Sequence, residues 1–309
     1  MRDDNFSQKI KCLYPGDTFL MEPLSDHVTW KIGGPADVLH MPSSVPHLKN
    51  VLEIIVEKEV PLTIIGRGSN LLVLDKGVRG LVVKLSRLKD IRVEGNEILA
   101  SAGVSLPYLS RIALENSLSG LEFAVGIPAG TAGAVINNAG AHGGSMQDIV
   151  KDVTVMDLSG EIRILDYQDL AFGYRQSSLK NRKNYIVLKA RLGLQKDHRH
   201  RIRDKMERYM EHRRQTQPLG AATAGCVFSN PKEGAAGYFI ERAGFKGHRI
   251  GDAKVSTRHA NFIINTGNAK ARDVLILMDK IKRKVHENFG IILENEIQIL
   301  GQGSEDFGR

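Results

Sequence analysis

Two glycine-rich polar segments, each set beside apolar runs, constrain this chain more than any other feature. Residues 62–73 read LTIIGRGSNLLV, which is an apolar run, a tight polar turn and a second apolar run. Residues 126–144 read GIPAGTAGAVINNAGAHGG. Glycine lets a backbone approach a ligand closely, and Ser and Asn side chains in such turns can donate to an anion. The two segments together predict a site for one large phosphorylated ligand.

The alternative is that these turns are rich in glycine for conformational reasons alone. The familiar nucleotide signatures are missing. After Gly66 and Gly68, Leu71 stands where a Rossmann GxGxxG motif has its third glycine, and no GxxxxGK[ST] motif occurs. A dinucleotide that binds here therefore needs a different fold.

Composition predicts a folded cytoplasmic protein. The chain has 309 residues, of which 42% are hydrophobic and 25% charged, enough for two compact domains. We expect no signal peptide and no membrane span, because no apolar run approaches the roughly 18 residues that crossing a bilayer takes. Cys12 and Cys226 are the only cysteines, so we expect free thiols in a reducing compartment.

A formal net charge of +8 favours an anionic partner. Much of the excess lies in residues 196–214, KDHRHRIRDKMERYMEHRR, which we interpret as a solvated helix that links two domains. A nucleic-acid patch is the alternative, but no recognition motif accompanies the helix. We expect a phosphorylated metabolite as the partner and no nucleic acid. His142 and His259 lie near motif residues but have no second or third ligand at metal spacing, so we also expect no metal.

Local signals predict alternating helices and strands. Ser44 is placed to cap a helix whose apolar residues repeat at helical spacing. A short helix over residues 132–139 begins at Gly130 and Thr131, where free N–H groups and the helix dipole favour a pyrophosphate. Further helices are predicted at 105–116, 237–243 and 268–289, and further strands at 78–85, 91–93, 97–101, 150–165 (a hairpin turned at Ser159 and Gly160), 185–194, 259–265 and 291–300.

Seven stretches, taken in order, carry a resemblance to a known family. They read TWKIGGPAD, IIGRGSNLLV, GIPAGTAGAVINNAGAHGG, YRQSSLK, TAGCVFSNP, ERAGFKGHRIGDAKVSTRHANFIIN and LENEIQ, and they run from Thr29 to Gln298. In this order they resemble the UDP-N-acetylenolpyruvoylglucosamine reductases, flavoenzymes that complete UDP-N-acetylmuramic acid in peptidoglycan synthesis. The resemblance implies FAD and NADPH as cofactors and a UDP-sugar as substrate. We expect a monomer.

The resemblance also implies an α+β fold. A two-subdomain FAD-binding unit of the vanillyl-alcohol-oxidase type would explain the missing Rossmann glycines, and a C-terminal α+β domain would bind the substrate. The expected parts are an N-terminal segment (1–26), the FAD-binding domain (27–195, split near 84), the linking helix (196–214), the substrate-binding domain (215–302) and a tail (303–309).

Three catalytic residues follow from motifs of the family. Its YR-x-S motif places an Arg at Arg175, its LE-x-E motif places the second Glu at Glu296, and its GS-x-F-[KR]-N-P motif places the proton-donating Ser at Cys226. In the implied reaction NADPH reduces FAD, and flavin N5 delivers hydride to C3 of an enolpyruvyl ether. Arg175 and Glu296 would support the charge that develops on the substrate carboxylate, and Cys226 would protonate C2.

A thiol is a competent donor, because its pKa near ~8.5 makes it a far better acid than a Ser hydroxyl. Each candidate also has an ordinary alternative. Cys226 could be a small buried hydrophobe, Arg175 a surface ion pair and Glu296 a solvent-facing carboxylate.

Further contacts are implied by matching motif positions. Tyr174, Asn230 and Lys246 would contact the substrate, and Ser229 stands where the family has a basic residue. The short interval between Arg175 and Cys226 resembles the form of the family that lacks an extra Tyr-bearing loop. The expected FAD contacts are Thr29, Gly66, Arg67, Gly68, Ser69, Asn70, Leu71, Gly126, Ile127, Pro128, Gly130, Thr131, Gly133, Asn138, Ala139 and Gly140.

Two other functions remain open from the sequence. An FAD-linked oxidase or dehydrogenase of the same fold would act on a hydroxy acid or alcohol. A basic nucleic-acid-binding protein would be colourless, and its affinity would fall steeply with salt.

Overall fold

The computed structural model describes residues 5–182 and 184–303. The α-helices, in chain order, are α1 (Asn5–Leu13), α2 (Val45–Glu57), α3 (Leu106–Glu115), α4 (Thr131–Ile136), α5 (Arg199–Thr216), α6 (Ala236–Arg242) and α7 (Ala271–Phe289). The strands are β1 (Thr18–Pro23), β2 (Pro35–His40), β3 (Leu62–Ile65), β4 (Leu71–Val73), β5 (Val78–Lys84), β6 (Ile91–Glu94), β7 (Glu97–Ser101), β8 (Leu118–Ser119), β9 (Gly140–Ala141), β10 (Gly144–Ser145), β11 (Val150–Asp157), β12 (Ile162–Asp166), β13 (Tyr185–Gly193), β14 (Gln195–Lys196), β15 (Arg249–Ile250), β16 (Ala253–Val255), β17 (Ile263–Asn265) and β18 (Gln298–Leu300).

The first compact unit contains the described residues of Met1–Leu20, Val38–Arg67 and Gly80–His212. It has a four-stranded sheet in the order β1-β2-β5-β3, in which β3 and β5 are parallel, and a five-stranded antiparallel sheet in the order β12-β11-β13-β7-β6. One apolar core serves both sheets. The predicted subdomain split near residue 84 falls within this one unit and stays a prediction.

Helix α2 forms where its start signal and apolar spacing predict it. Ser44 has extended backbone, and its hydroxyl accepts the N–H of His47 at 3.3 Å, which satisfies one of the unpaired donors of the first turn. Leu48, Val51 and Ile55 are buried on one face. The predicted helix is therefore confirmed.

The hairpin of β11 and β12 is also confirmed. The carboxylate of Asp157 accepts the N–H groups of Ser159 and Glu161 at 2.9 and 3.0 Å, and Gly160 has a φ of +83°. These local bonds fix the turn, so Val155 pairs with Arg163 and the strands keep their register.

The second compact unit contains the described residues of Met21–Asp37, Gly68–Arg79 and Arg213–Arg309. Strands β15, β16 and β17 form an antiparallel sheet, and β18 pairs with β4 in parallel. Its apolar core includes Trp30, Leu72, Phe228 and Leu277. Both units are discontinuous in sequence, whereas the predicted domains are continuous segments.

Strands β3 and β4 lie on either side of the first glycine turn but belong to different sheets. Strand β3 pairs with β5, whereas Leu71 of β4 pairs with Gln298 of β18. The turn is therefore not a hairpin, although both predicted apolar runs are strands.

Helix α7 begins at a cap supplied by a distant part of its own unit. The N–H groups of Ala271 and Arg272 donate to the two carboxylate oxygens of Asp75 at 2.9 and 3.2 Å. A carboxylate at this end also complements the helix dipole. At the other end Gly290 has a φ of +70°, which confirms the predicted stop.

Two predicted strands are wrong in length. Strand β17 covers only Ile263–Asn265, and β18 covers only Gln298–Leu300. The residues before each strand bond individually to the segment 226–229 instead of forming a continuous ladder. The N–H of Val227 donates to Asn261 at 2.9 Å, and the N–H of Ser229 donates to Glu294 at 3.0 Å.

Across the part of the chain that the structure describes, no helix has the length and apolarity needed to cross a membrane. The same residues contain no group of three or more His, Cys, Asp or Glu side chains suited to a metal ion.

Candidate active site

The first glycine turn is fixed by contacts within the second unit. Gly68 has a φ of +70°, and a Cβ there would lie 2.6 Å from the carbonyl oxygen of His27. Its own carbonyl accepts the N–H of Thr29 at 3.1 Å, while the Thr29 hydroxyl donates to the Thr223 carbonyl at 2.7 Å. Gly68 is therefore glycine because the fold requires it.

Gly66 and Gly133 are different, because nothing in the described fold explains their lack of a side chain. A Cβ at either position would meet no atom within 4 Å, and neither has a positive φ. In the second glycine segment, by contrast, a Cβ at Gly130 would lie 3.1 Å from the Ala102 carbonyl oxygen, and one at Gly140 would lie 2.7 Å from that of Gly144. Gly66 and Gly133 are thus the positions where backbone is open to a ligand.

Two cationic side chains lie at the same end of the first unit. The Cγ of Arg67 is 3.4 Å from the position a Cβ of Gly130 would take. Burial, and then the charge of Arg67, hold the pKa of Lys84 below its usual value. Strand pairing places Lys84 opposite Ile65, two residues before Arg67. Positive charge beside the second glycine segment suits a phosphate. Lys84 was missed in the sequence because it ends an apolar strand without a motif.

The start of α4 corrects one expectation. The N–H of Thr131 donates to the Val104 carbonyl at 2.8 Å, and that of Ala132 donates to the Ala102 carbonyl at 3.1 Å. The Thr131 hydroxyl also donates to Val104, at 3.0 Å, and the side chain is fully buried. The prediction of a free N–H at Thr131 is wrong, because a carbonyl of the segment between β7 and α3 already accepts it.

Asn138 likewise serves the fold with its side chain. Its Nδ2 donates to Gln147 Oε1 at 2.9 Å and to the Gly173 carbonyl at 2.8 Å, and its Oδ1 accepts the N–H of Gln147 at 2.9 Å. The side chain of Asn138 thus already has protein partners, and the predicted FAD contact of this residue stays a prediction. Asn138 ties the second glycine segment to the loop that carries Arg175.

That loop holds Arg175 in an uncommon backbone conformation. Arg175 has a φ of +54°, and its carbonyl accepts the ammonium group of Lys180 at 3.1 Å. The Ser177 hydroxyl donates to the Ile136 carbonyl of α4 at 2.8 Å. The Arg175 guanidinium lies over the ring of Tyr174, 5.6 Å from its centroid, and Tyr174 is itself exposed. A positive φ costs a non-glycine residue energy, so surrounding bonds must hold this loop in place.

The other two catalytic candidates lie on neighbouring segments of the second unit. Cys226 forms an isolated bridge with Phe262, and the next residue, Val227, accepts the N–H of Glu296 at 2.8 Å. Both Cys226 and Glu296 are half-buried. The structure therefore places these two predicted residues on backbone segments that are bonded to each other within one unit.

Asn70 of the first glycine turn supports the same segment. Its Nδ2 donates to the Glu296 carbonyl at 3.1 Å, and its own carbonyl accepts the N–H of Gln298 at 3.0 Å. The predicted cofactor residue Asn70 thus also positions the backbone of Glu296.

Arg213 was missed by the sequence analysis. It is half-buried near the end of α5, and burial lowers its pKa while the neighbouring Cys226 opposes that shift. In the sequence it was one of many basic residues in residues 196–214, so nothing distinguished it.

The predicted substrate residues of the second unit already have protein partners. Asn230 Oδ1 accepts the N–H of Ala236 at 3.0 Å, and Lys246 forms an ion pair with Glu241 at 2.8 Å. That bond uses only the Oδ1 of Asn230 and leaves its Nδ2 out. Of the remaining predicted FAD residues, Leu71 is buried in β4, Gly126, Ile127, Ala139 and Ser69 are half-buried, and Pro128 is exposed.

Two family models match separate parts of the chain. One, described as an FAD binding domain, matches residues 36–166. The other, described as the UDP-N-acetylenolpyruvoylglucosamine reductase C-terminal domain, matches residues 217–300.

Curated relatives match nearly the whole chain. The UDP-N-acetylenolpyruvoylglucosamine reductase of Caldanaerobacter subterraneus subsp. tengcongensis is 46% identical over 94% of this chain and 96% of its own length. The Bacillus subtilis protein of the same name is 42% identical over 95% and 97%.

Solved structures agree in fold. The UDP-N-acetylenolpyruvylglucosamine reductase of Thermus caldophilus superposes with a TM-score of 0.79 at 37% identity, covering 92% of this chain and 98% of that one. Phl p 4.0202, a glucose dehydrogenase, superposes with a TM-score of 0.50 at 13% identity over 91% of this chain and 59% of its own, which shows a shared fold alone. The expected α+β fold with an FAD-binding unit of the vanillyl-alcohol-oxidase type is confirmed.

Proposed function

The chain belongs to the UDP-N-acetylenolpyruvoylglucosamine reductase family, and we propose that Arg175, Cys226 and Glu296 carry its reaction. The protein is an FAD-containing oxidoreductase that uses NADPH to reduce UDP-N-acetylenolpyruvoylglucosamine to UDP-N-acetylmuramate. The observation that carries the residue assignment is the bond from the Glu296 N–H to the Val227 carbonyl, which keeps the backbone of Glu296 beside the segment that contains Cys226.

The open glycines and the cations fit FAD. A Cβ at Gly66 or Gly133 would meet only empty space, and Arg67 and Lys84 add positive charge. We propose that these residues hold the FAD phosphates, together with backbone of the 126–130 loop. When bound, FAD supplies the hydride that is added to C3 of the substrate.

Cys226 is the proposed proton donor to C2. As the S–H bond breaks and the C2–H bond forms, the electron pair of the S–H bond stays on sulfur. Gly225, with a φ of +83°, lets the chain turn directly before this residue. A thiol is largely protonated at neutral pH, so the donor is ready before hydride addition.

Arg175 is the proposed support for the substrate carboxylate. Charge moves into that carboxylate while C3 is reduced, and a guanidinium meets it with two donors in a fixed geometry. The bonds that hold the loop from Asn138 and Lys180 keep the group placed before the reaction. Placement in advance lowers the barrier because nothing must reorganise during the step.

Glu296 is proposed to act beside the same developing charge, either as a protonated carboxylic acid or by orienting a donor. Asn70 and Val227 fix its backbone from two sides. A group held in this way loses little freedom when it meets the substrate.

We also propose that the protein works as a monomer in the cytoplasm. Its product is a precursor of peptidoglycan, and neither Cys12 nor Cys226 forms a disulfide, which suits a reducing compartment. Sedimentation of the holoprotein tests the monomeric state.

Spectroscopy of the purified holoprotein tests the function. NADPH should bleach the flavin absorbance, and UDP-N-acetylenolpyruvoylglucosamine should restore it without oxygen. Restoration by hydroxy acids or alcohols in place of the enol ether would instead identify an oxidase of the same fold. A colourless protein that cannot be reconstituted with FAD would contradict the proposal altogether.

A further inference from the structure

We propose that Arg213 is a positioning residue for proton transfer, whose guanidinium compensates the negative charge left on Cys226 Sγ when the thiol gives its proton. The inference rests on the donor role proposed for Cys226. Arg213 lies outside the motifs that identify Arg175, Cys226 and Glu296.

One segment of the second unit holds both partners. The Arg258 Nη1 donates to the Arg214 carbonyl at 2.8 Å and to the Gln217 carbonyl at 3.4 Å, which anchors the end of α5. Four residues further on, Phe262 bridges Cys226. The segment 258–262 therefore fixes the residue next to Arg213 and the candidate donor at once.

Asn261 strengthens the hold on the donor segment. Its backbone carbonyl accepts the N–H of Val227 at 2.9 Å. Its side chain makes two bonds to Phe228: Oδ1 accepts the N–H at 3.0 Å, and Nδ2 donates to the carbonyl at 2.7 Å. Asn261 is itself 2% exposed. The backbone next to Cys226 is therefore held firmly against the 258–262 segment.

Arg213 is placed where its charge is poorly screened. Its Nε is buried and makes no hydrogen bond within residues 5–182 and 184–303. Burial favours loss of its charge and lowers its pKa, and the negative charge of a Cys226 thiolate opposes that shift. Attraction between two charges is mutual, so the guanidinium favours the thiolate as much as the thiolate favours the guanidinium.

This placement suits a proton donor. The substrate gains a C2–H bond, the proton comes from sulfur, and the thiolate that remains needs a positive neighbour until it is reprotonated by solvent. A cation there lowers the energy of the charge-separated product of the step. It also makes the thiol a stronger acid before the step.

Other charged groups adjoin the donor segment and must be considered in any pH profile. They come from the end of α5, from the 256–262 segment and from the paired 294–297 segment: Arg213, Arg214, Arg258, His259, Glu294 and Glu296. Burial, and then the charge of Lys246, lower the pKa of His259, while the charge of Glu241 raises it by less. The net shift is downward, so His259 is neutral at pH 7 and above.

The test is the pH dependence of iodoacetamide alkylation at Cys226 in the holoenzyme, followed by mass spectrometry of the Cys226 peptide. Wild type is compared with Arg213→Met, Arg213→Gln and Arg213→Lys. Arg208→Met removes a guanidinium from an exposed site on the same helix and is the matched control. Exposed Cys12 is the internal reference.

We expect both neutral variants to slow alkylation of Cys226 about tenfold at pH 7, as a one-unit shift toward higher pH gives, while Arg213→Lys stays near wild type. Cys12 should be unaffected throughout. An unchanged Cys226 profile in the Met and Gln variants, or a Lys variant no better than Met, overturns the inference. Alkylation needs no turnover, so the two proposals fail in different ways. If the Arg213 variants change the alkylation profile of Cys226 but Cys226→Ala turns over normally, the donor role is wrong while the effect of Arg213 on the thiol stands.

Discussion

The backbone N–H of Glu296 donates to the carbonyl of Val227 at 2.8 Å, so a carboxyl residue and the thiol residue next to Val227 lie on bonded segments of one unit. The thiol segment also bonds to Asn261 and the carboxyl segment to Asn70. Substitutions of Asn261 or Asn70 should therefore lower the reaction rate although neither residue is proposed to contact the substrate.

Replacing Cys226 by Ala should block turnover and leave flavin reduction by NADPH intact, because only the proton to C2 is lost. Stopped-flow absorbance measures the two half-reactions separately. Cys226→Ser is the matched control, and it should keep substantial activity while losing inactivation by thiol reagents. Normal turnover in the Ala variant would remove the donor role.

Arg175→Lys should lower kcat by about 100-fold or more, because a single ammonium cannot supply two parallel donors to a carboxylate. Steady-state kinetics with the enol ether measures this loss. Arg182→Lys changes an exposed residue a few positions on and should leave the rate unchanged. An Arg175→Lys enzyme with wild-type kcat contradicts the assignment.

Asn70→Ala should reduce kcat several-fold and destabilise the fold by about 1 kcal/mol, since the bond from Nδ2 to the Glu296 carbonyl at 3.1 Å is lost. Thermal unfolding and kinetics measure the two effects. The control, Asn116→Ala, removes an exposed bond to the Ile112 carbonyl at 2.8 Å and should leave kcat alone. If both variants retain full kcat, Asn70 does not position Glu296.

Gly133→Ala should weaken FAD binding while leaving the FAD-free protein as stable as wild type or more so. Its Cβ meets no protein atom within 4 Å, and Ala favours a helix over Gly by about 1 kcal/mol. Flavin fluorescence titration measures the affinity. For contrast, a Cβ at Gly103 would lie 2.3 Å from the Leu85 carbonyl oxygen, so Gly103→Ala should destabilise the protein itself. Undiminished FAD affinity in Gly133→Ala would show that no ligand approaches there.

Stability should fall between pH 7 and pH 5 partly because of His40. Burial, and then the charge of His47, lower the pKa of His40 to about 4, whereas an unfolded His titrates near ~6.5. Between these values the unfolded state binds the extra proton, so stability is lost as the pH falls, by about 2 kcal/mol at pH 5.

Comparing thermal unfolding of wild type and His40→Gln at the two pH values isolates this contribution from that of the carboxylates. The variant should lose less stability on acidification, and His286→Gln, at an exposed position, should behave as wild type. Equal losses in wild type and His40→Gln would mean that His40 is not held neutral.

Local signals in the sequence were sufficient to predict most of the helices and the hairpin. The cap at Ser44, the stop at Gly290 and the turn at Gly160 each depend on bonds within a few residues, so the neighbouring sequence is enough to predict them. The glycine turn at residues 66–70 is different, because a Cβ at Gly68 would meet the carbonyl oxygen of His27, far away in sequence.

Features that depend on bonds between residues far apart in sequence could not be predicted from local signals. Nothing near Asp75 indicates that it caps α7, and the alternation in residues 291–300 looks like a strand although single bonds to residues 227 and 229 replace a ladder. Thr131 and Asn138 resemble ligand donors until the carbonyls that accept from them are known. Motif resemblance located the candidate catalytic residues, but only their partners show what holds them.

Parallel pairing of β4 with β18 has a consequence for how the protein is made. Every strand of the two sheets in the first unit is synthesised before α5, so that unit can fold while translation continues. Leu71 must wait for Gln298, one of the last described residues to leave the ribosome. In a stalled or truncated nascent chain the first unit would be folded, while β4 would remain unpaired and exposed to chaperones and proteases.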